Sequence, residues 1–190
     1  MSLLVFGAGA IGRGLLGELA ARAGLPTTFV EADPRLARRL TEAGEYHVRL
    51  VGPGRSDTRV GGFRVLTPAD TSDLAEACGE AALAATAVGG DRLGSVATSL
   101  APALARRSGP LPVLVCENRS DAAQVLERAL RDCGADAGRF FCIPCSVERM
   151  VRAMPDSLDL VGEFGQTAYA DRPVPLPGIH ASDRLDALYQ

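Results

Sequence analysis

Hydrophobic positions along the chain alternate between short unbroken runs and segments in which apolar residues recur every three or four positions. Leu3–Phe6 is the first run, and Ile11–Ala23 follows it with its apolar residues on one helical face. A second run, Thr27–Val30, is rich in β-branched and aromatic residues, which favours a strand. Strands that alternate with helices in this way predict an α/β fold with a doubly wound, mostly parallel sheet.

The same alternation continues through the middle of the chain and then becomes irregular. Further strands are predicted at Ala82–Val88, Pro112–Cys116 and Phe140–Ile143, and further helices at Arg35–Ala43, Asp70–Cys78, Arg92–Arg106 and Asp121–Cys133. In the irregular part, strands are predicted at Ser157–Phe164 and Thr167–Ala170, before a proline-rich turn at Pro173–Gly178. Up to the irregular part, the pattern is that of one sheet covered by helices.

A glycine-rich turn joins the first predicted strand to the first predicted helix. We predict that Gly7 permits a tight turn, Gly9 lets the backbone approach a pyrophosphate, and Gly12 allows the helix to pack closely on the strand. Free N–H groups at the start of the helix would then bind the pyrophosphate, which predicts a Rossmann-like, dinucleotide-binding fold. The residues predicted to bind the cofactor here are Gly7, Ala8, Gly9, Ala10, Ile11 and Gly12.

A carboxylate follows the second predicted strand, where the adenosine ribose of a dinucleotide is expected. Glu31, followed by Ala32, stands 19 residues after the last glycine of the turn, and its carboxylate would accept hydrogen bonds from the ribose hydroxyls. Because a carboxylate repels a 2′-phosphate, the sequence favours NAD(H) over NADP(H). Asp33 is a second candidate for the role, and Arg35 or Arg38 would instead support NADP(H).

One pair of predicted strands lacks a helix between its members. Tyr46–Val51 and Phe63–Leu66 are joined by a loop rich in glycine, proline, serine and aspartate. A connection without a crossover helix joins antiparallel strands. We therefore expect an antiparallel insertion at the edge of the sheet or over the cofactor.

The composition limits the partners and the location of the protein. The chain has 190 residues, of which 47% are hydrophobic, and a net charge of −3. Nucleic acids and anionic membranes bind clustered positive charge, and here the arginines are scattered, so neither partner is expected. No run reaches the ~18 apolar residues of a membrane span. No basic leader follows Met1, so we predict a cytoplasmic protein.

Five cysteines are present, an odd number that suits a reducing compartment better than a disulfide framework. Cys142 and Cys145 have the spacing of a redox or metal-binding pair. A structural zinc site would need a second pair, and Cys78, Cys116 and Cys133 are not spaced in that way. We therefore predict buried structural thiols and no metal site, with a redox or metal-binding pair as the alternative.

Several further motifs follow the glycine-rich turn in a fixed order. They are Phe6–Gly14, which contains the turn, Thr86–Gly89, Cys116–Asn118, Ser146–Val151, Leu158–Glu163 and the turn at Pro177-Gly178. This ordered set covers nearly all of the chain and resembles the mannitol-1-phosphate 5-dehydrogenase family and its relatives among the polyol-specific long-chain dehydrogenases. The resemblance implies an NAD-dependent oxidoreductase that interconverts a polyol phosphate and a ketose phosphate, such as mannitol 1-phosphate and fructose 6-phosphate.

The resemblance also implies roles for individual residues. Asn118 would contact the cofactor and lie beside the reacting carbonyl, where its amide N–H₂ group polarises the carbonyl oxygen. Glu148 stands where the family usually has aspartate, and Arg149 either holds the substrate or pairs with Glu148. The ribose side of the cofactor would be lined by Thr86, Ala87, Val88 and Gly89, and the substrate would be bound by Arg13, Glu148, Arg149 and Glu163.

The general acid/base of the resembling family is a lysine, followed by an asparagine and a histidine on a helix of a C-terminal domain. All 20 basic residues of this chain other than histidine are arginine, so the lysine is missing. We expect an NAD-binding domain over residues 1–179 and, at residues 180–190, the start of a helical substrate domain that is otherwise absent. Ser182 is the predicted cap of that helix. His180, just before it, is predicted to lie at the surface.

Three interpretations follow from the missing lysine. In the first, the chain is part of a polyol-phosphate dehydrogenase that is either truncated before its C-terminal helical domain or completed by a separate chain that supplies this domain. In the second, it is a stand-alone NAD(H)-binding or sensing module without turnover, or one that uses its C-terminal end and edge strands to form a homodimer. A third interpretation keeps the enzyme class and changes the substrate to a different sugar phosphate.

Overall fold

Strands and helices alternate along the chain in the structure, a computed structural model that describes residues 1–163, residues 167–182 and Leu185. The strands in this part are β1 (Ser2–Phe6), β2 (Thr27–Val30), β3 (Glu45–Val51), β4 (Ser56–Gly61), β5 (Arg64–Leu66), β6 (Ala81–Thr86), β7 (Leu111–Val115), β8 (Phe140–Val147), β9 (Val151–Ala153), β10 (Leu160–Glu163), β11 (Ala168–Ala170) and β12 (Ile179–Ala181). The helices are α1 (Gly12–Gly17 continued by Glu18–Arg22), α2 (Pro34–Ala43), α3 (Thr71–Glu80), α4 (Leu93–Leu104) and α5 (Ala122–Asp132).

The main sheet has the strand order β12-β11-β8-β7-β6-β1-β2-β5. The strands from β8 to β5 pair in parallel. At the other edge, β11 is antiparallel to β8, and β12 is parallel to β11. Successive strands extend in both directions from the adjacent pair β1 and β6, which is the doubly wound arrangement. The predicted α/β, Rossmann-like fold is confirmed.

Both faces of the main sheet are covered, because successive residues of a strand point to opposite sides. Leu4 and Phe6 of β1 pack in a core formed with α3, α4 and α5. Leu3 and Val5 pack in a second core, formed with α1, α2 and the strands β3 and β4. All four side chains are buried. A parallel strand buried on both faces reads as an unbroken apolar run, which is the feature that predicted β1.

The insertion is a separate sheet with the order β4-β3-β10-β9. The predicted antiparallel pairing is present within this mixed sheet, in which β10 pairs in parallel with β3. The pairing of Tyr46–Val51 with Phe63–Leu66 was wrong. β3 pairs with β4, within the segment predicted to be a loop, and β5 pairs in parallel with β2 in the main sheet. The second sheet contacts α1 through β4 and β10.

The first helix begins with π-helical geometry at Gly12–Gly17 before it continues as an α-helix. In this segment the N–H of Glu18 donates to the carbonyl of Arg13, five residues earlier. The same carbonyl accepts a hydrogen bond from the Tyr46 hydroxyl at 3.1 Å. A side chain at Gly17 would collide with that hydroxyl. Glycine therefore allows the second sheet to approach the helix that carries the glycine-rich turn.

Two short strands at the C-terminal side complete the described part. β11 confirms the strand predicted at Thr167–Ala170, and β12 was not predicted. β12 spans the boundary predicted between residues 179 and 180, and that division into domains stays a prediction. Apart from Ser182 and Leu185, the predicted C-terminal helix lies outside the described residues. None of the helices that the structure describes is long and apolar enough to cross a membrane.

Candidate functional site

A crevice opens at the carboxyl ends of β1 and β6, the point where ligands of open α/β sheets bind. It consists of two hollows, of about 590 Å³ and about 970 Å³, and Ala87 lines both of them. The smaller hollow lies between the glycine-rich turn, the end of β2 and α4. The larger hollow lies beside the ends of β7 and β8. Volumes of roughly 300–1,000 Å³ are typical of ligand sites.

The glycine-rich turn borders both hollows. Gly7 has a φ of 92°, and a side chain there would collide with the carbonyl of Ala87. A side chain at Gly12 would collide with the carbonyl of Gly7, so only glycine lets α1 lie this close to the turn. At Gly9, in contrast, no atom lies within 4 Å of the position that a Cβ would take. Gly7 and Gly9 line the smaller hollow, and Ala10 and Ile11 line the larger one.

Glu31 lies at the wall of the smaller hollow with its carboxylate against the turn. The N–H of Ala8 donates to Oε2 of Glu31 at 2.7 Å, and the N–H of Asp33 donates to Oε1 at 2.8 Å. Asp33, the alternative candidate, caps α2 by accepting the N–H of Arg35 at 2.9 Å. Ala32 lines the hollow with both acids. The structure thus joins Glu31 to the glycine-rich turn.

Helix α4 and the turn before it supply a wall of the smaller hollow that sequence reasoning missed. Arg92, Ser95 and Ser99 line this hollow. They stand at i, i+3 and i+7, which places them on one helical face, and this spacing was the available signal. They add a guanidinium and two hydroxyls to the lining of the hollow that Glu31 also borders.

The larger hollow brings together several residues that the sequence predicted. Asn118, just after β7, and Glu148, just after β8, are exposed and line this hollow together with Gly89. Val88 lines the smaller hollow. The structure therefore places an amide and a carboxylate on the walls of the larger hollow.

Five predicted site residues line neither hollow: Ala8 and Gly12, which are buried in the glycine-rich turn, and Arg13, Thr86 and Glu163. Thr86 is fully buried at the end of β6, and in the described part of the chain its hydroxyl has no hydrogen-bond partner. Ala87 follows Thr86 and turns into the crevice, whereas Thr86 itself lines neither hollow. Glu163 is exposed on β10 in the second sheet, and its N–H donates to the carbonyl of Met150 at 3.2 Å.

Arg13, also outside the two hollows, has its side chain buried between the glycine-rich turn and the second sheet. Its Nε donates to the carbonyl of Ala8 at 2.7 Å, and its Nη1 donates to the carbonyl of Leu158. The guanidinium also lies over the ring of Tyr46, 5.5 Å from the ring centre. Burial lowers the pKa of Arg13. These contacts hold the guanidinium to the protein and away from the crevice in which a substrate contact was predicted.

Arg149 has a partner that the sequence did not suggest. The side chain is buried and borders the larger hollow. Its Nη1 lies 3.0 Å from Oε2 of Glu18 on α1 and donates to the carbonyl of Gly14 at 3.2 Å. Glu18 is fully buried and also accepts a hydrogen bond from the Thr58 hydroxyl at 3.2 Å. Arg149 thus ties the wall of the larger hollow to the helix that carries the glycine-rich turn.

Glu117 is a further buried acid that the sequence did not single out. Glu117 is 4% exposed. Its carboxylate accepts the N–H of Val88 at 3.0 Å and the N–H of Gly89 at 2.8 Å. Its place within the Cys116–Asn118 motif was the only available signal. The carboxylate joins the end of β7 to the loop after β6.

The cysteine pair consists of free thiols on β8. Cys142 and Cys145 are three residues apart on a strand, so their side chains point to opposite faces. Burial raises the pKa of Cys142 to about 12, so this thiol is protonated at neutral pH. A hydrogen bond to Cys145, together with burial, raises the pKa of Cys116. Within the described ranges, no group of three or more His, Cys, Asp or Glu residues is placed to hold a metal ion.

Several solved structures share this fold. Octopine dehydrogenase in complex with NADH and agmatine matches with a TM-score of 0.67 and 16% identity, over 100% of this chain and 46% of that chain. Yersinopine dehydrogenase with NADP⁺ bound matches with a TM-score of 0.66 and 16% identity, over 90% of this chain and 40% of that chain. A PanE/ApbA family ketopantoate reductase from Ralstonia eutropha JMP134 matches with a TM-score of 0.64 and 20% identity, over 100% of this chain and 53% of that chain. At these identities the likeness concerns the fold alone.

Similarity in sequence is closer to one group of enzymes. Mannitol-1-phosphate 5-dehydrogenase of Geobacillus thermodenitrificans is 35% identical over 162 residues, which cover 80% of this chain and 42% of the relative. The enzyme of the same name from Paenarthrobacter aurescens is 32% identical over an alignment of 196 residues, which covers 100% of this chain and 47% of the relative. The chain therefore spans less than half the length of these curated relatives.

One known protein family matches most of the chain. The family described as the mannitol dehydrogenase Rossmann domain matches residues 1–141. The crevice fits a dinucleotide, since the turn leaves open space at Gly9 and a carboxylate stands at the end of β2. The predicted family resemblance and the predicted cofactor, NAD, are confirmed at the level of the family. The chain belongs to the mannitol dehydrogenase Rossmann-domain family of NAD-dependent oxidoreductases.

Proposed function

We propose that this chain binds NAD(H) as the cofactor domain of an oxidoreductase acting on a polyol phosphate and its ketose phosphate, such as mannitol 1-phosphate and fructose 6-phosphate. The observation that carries the proposal is the position of Glu31, whose carboxylate accepts the N–H of Ala8 at 2.7 Å beside the smaller hollow. The substrate pair is suggested by the curated relatives, which are mannitol-1-phosphate 5-dehydrogenases.

The two hollows suit the two halves of a dinucleotide. The smaller hollow suits adenosine, because the carboxylate of Glu31 accepts hydrogen bonds from a ribose diol and repels a 2′-phosphate. The open space at Gly9 suits the pyrophosphate, which free N–H groups at the start of α1 stabilise. The larger hollow then receives the nicotinamide, which supplies or accepts the hydride when the cofactor is bound.

Two residues of the larger hollow suit the reacting end of the substrate. The exposed amide of Asn118 donates a hydrogen bond to the substrate carbonyl and stabilises the negative charge that develops on its oxygen during reduction. Glu148 accepts hydrogen bonds from substrate hydroxyls in the same hollow.

The proton donor or acceptor of the reaction is proposed to lie outside these 190 residues. Oxidation of an alcohol needs a base that removes the hydroxyl proton, and a lysine with a lowered pKa suits this role. The chain contains no lysine, and it spans less than half the length of its curated relatives. A further segment or a separate chain would therefore complete the catalytic site.

Calorimetric titration of the 190-residue chain with NADH and with NADPH tests the cofactor assignment. We expect NADH to bind at least about tenfold more tightly than NADPH, a difference of about 1.4 kcal/mol in binding free energy. The cause is the repulsion between Glu31 and the 2′-phosphate. Preference for NADPH would contradict the role of Glu31. If neither dinucleotide binds, the proposed function is wrong.

A second candidate function is NAD(H) sensing without turnover. Arg119 and Arg149 border the larger hollow, and each is paired with a carboxylate, Asp121 at 2.6 Å and Glu18 at 3.0 Å. Both guanidinium groups are thus engaged before a substrate phosphate arrives, which favours binding without catalysis. Oxidation of NADH by this chain alone on addition of fructose 6-phosphate would eliminate the sensing function, and it would also contradict a proton donor outside these residues.

A further inference from the structure

The carboxylate of Glu117 makes two hydrogen bonds to one short stretch of backbone. Oε1 accepts the N–H of Val88 at 3.0 Å, and Oε2 accepts the N–H of Gly89 at 2.8 Å. Glu117 itself is 4% exposed. Hydrogen bonds from N–H groups to an ionised carboxylate are about twice as strong as those between neutral groups. Glu117 therefore holds two successive amides in a fixed orientation.

The stretch held by Glu117 separates the two hollows. We name residues 87–90 the divider. Val88 lines the smaller hollow, Gly89 and Gly90 line the larger one, and Ala87 lines both. The N–H groups bound by Glu117 belong to the two central residues of the divider. A shift of this backbone would change the shape of both hollows at the place where they meet.

Local backbone geometry shows why the divider needs an anchor. Gly89 has a φ of 90°, in the region open to glycine, and nothing lies within 4 Å of the position of an added Cβ. The carbonyl of Gly89 accepts the N–H of Arg92 at 2.9 Å, which fixes the side of the residue that faces α4. The N–H of Gly89 is fixed by the Glu117 carboxylate, which comes from the neighbouring strand β7.

We propose that Glu117 is a positioning residue that fixes the divider so that one dinucleotide can occupy both hollows at once. The inference rests on the proposed NAD(H) function and adds to it a requirement for one buried carboxylate. Ligands that fill only the smaller hollow should depend less on Glu117, because the divider forms one side of that hollow while Glu31 and α4 lie on its other walls. The ratio of affinities for a whole and a half dinucleotide is therefore the relevant quantity.

The substitution Glu117→Gln tests the requirement with little change in size. Glutamine has one acceptor oxygen, and its N–H₂ group would face the N–H of either Val88 or Gly89. Leaving one buried donor without an acceptor is costly, so we expect the Kd for NADH to rise about tenfold. The Kd for AMP, which fits the smaller hollow alone, should change less than about twofold. Glu127→Gln makes the same chemical change at an exposed carboxylate on α5 and is the matched control.

The outcomes separate this inference from the proposed function. A larger Kd for NADH at an unchanged Kd for AMP, with both values normal in Glu127→Gln, is the expected result. Equal weakening of NADH and AMP, or none, would overturn the positioning role alone. Failure of the unmodified chain to bind NADH would overturn both the proposed function and this inference.

A measurement on the unmodified protein covers the case in which Glu117→Gln does not fold. Hydrogen exchange followed by NMR reports on the Val88 and Gly89 amides one by one. We expect both amides to exchange at least about 100-fold more slowly than in an unstructured chain, and more slowly still with NADH bound. Exchange of either amide at the unstructured rate would overturn the inference.

Discussion

Arg149 and Glu18 form a buried ion pair, with 3.0 Å between a guanidinium nitrogen and a carboxylate oxygen. Their side chains are 5% and 0% exposed. Arg149 belongs to the connection between β8 and β9, which borders the larger hollow, and Glu18 belongs to α1. The pair therefore fixes the proposed substrate side of the crevice to the helix that carries the glycine-rich turn.

The first prediction concerns this pair. Arg149→Met should lower the free energy of unfolding by about 3 kcal/mol, because the Glu18 carboxylate loses its buried partner and keeps the longer ion pair, at 3.5 Å, with the exposed Arg22. Arg131→Met, which removes an exposed pair with Glu127, should cost less than about 1 kcal/mol. Urea denaturation of both variants measures the difference. An equal loss of unfolding free energy in the two variants would show that the buried pair stabilises the fold no more than the exposed pair does.

The second prediction separates folding from binding within the glycine-rich turn. Gly9→Ala adds a methyl group where no atom lies within 4 Å, so we expect stability to change by less than about 0.5 kcal/mol. The same methyl would occupy the space proposed for the pyrophosphate and should raise the Kd for NADH about tenfold or more. Gly12→Ala should instead lower the free energy of unfolding by about 1–3 kcal/mol, because its Cβ would collide with the Gly7 carbonyl. Calorimetry and thermal unfolding of both variants give the two readings. If the Gly9→Ala variant binds NADH with unchanged affinity, the pyrophosphate does not bind in the space beside Gly9.

The third prediction distinguishes the two acids after β2. Glu31→Gln should weaken NADH binding about tenfold and reduce the preference for NADH over NADPH, because the negative charge beside the ribose is lost. Asp33→Asn retains a good helix cap for α2 and should leave the NADH affinity within about threefold. Titrations of both variants with both dinucleotides provide the test. If Asp33→Asn has the larger effect, the ribose acid is Asp33.

The fourth prediction follows from the half-buried thiol of Cys142, whose pKa is raised to about 12 by desolvation. An unfolded thiol has a pKa of ~8.5, so between these pH values the unfolded chain loses a proton that the folded chain retains. This contribution to stability is complete below ~8.5 and is lost as the pH rises toward 12. Cys142→Ala should reduce the fall of unfolding free energy with pH by up to about 1.4 kcal/mol per pH unit above pH ~9.

Urea denaturation at a series of pH values from neutral to alkaline measures that slope. Cys133→Ala, a change of an exposed thiol, controls for the substitution itself. A slope that is the same in Cys142→Ala as in the unmodified chain would contradict the assignment.

The part of the fold that the sequence predicts best is the part with local signals. β1, the glycine-rich turn, α1 and β2 follow from an apolar run, three glycines and a helical period within 30 residues. Glu31 was predictable as well, because its distance from the turn is fixed by one helix and one strand. The structure adds the hydrogen bond to Ala8, which spacing alone cannot supply.

The features that the sequence did not predict depend on distant partners. β4 is polar apart from its one buried apolar residue, Val60, so its strand character depends on pairing with β3. Arg149 and Glu18 are separated by 131 positions, and Glu117 is 28 positions from Gly89. No periodicity or turn signal links residues so far apart, and only the folded chain brings them together.

One turn at the start of α1 sets the angular position of everything that follows in that helix. Arg13 and Gly14 offer their carbonyls to Tyr46 and Arg149, which lie 33 and 135 positions further along the chain. Each residue advances an α-helix by about 100°, so removing a single residue from Gly12–Gly17 would rotate Glu18 to another side of the cylinder. The second sheet is therefore fitted to the length of this segment as well as to its glycines, at three of which an added side chain would collide with a neighbour.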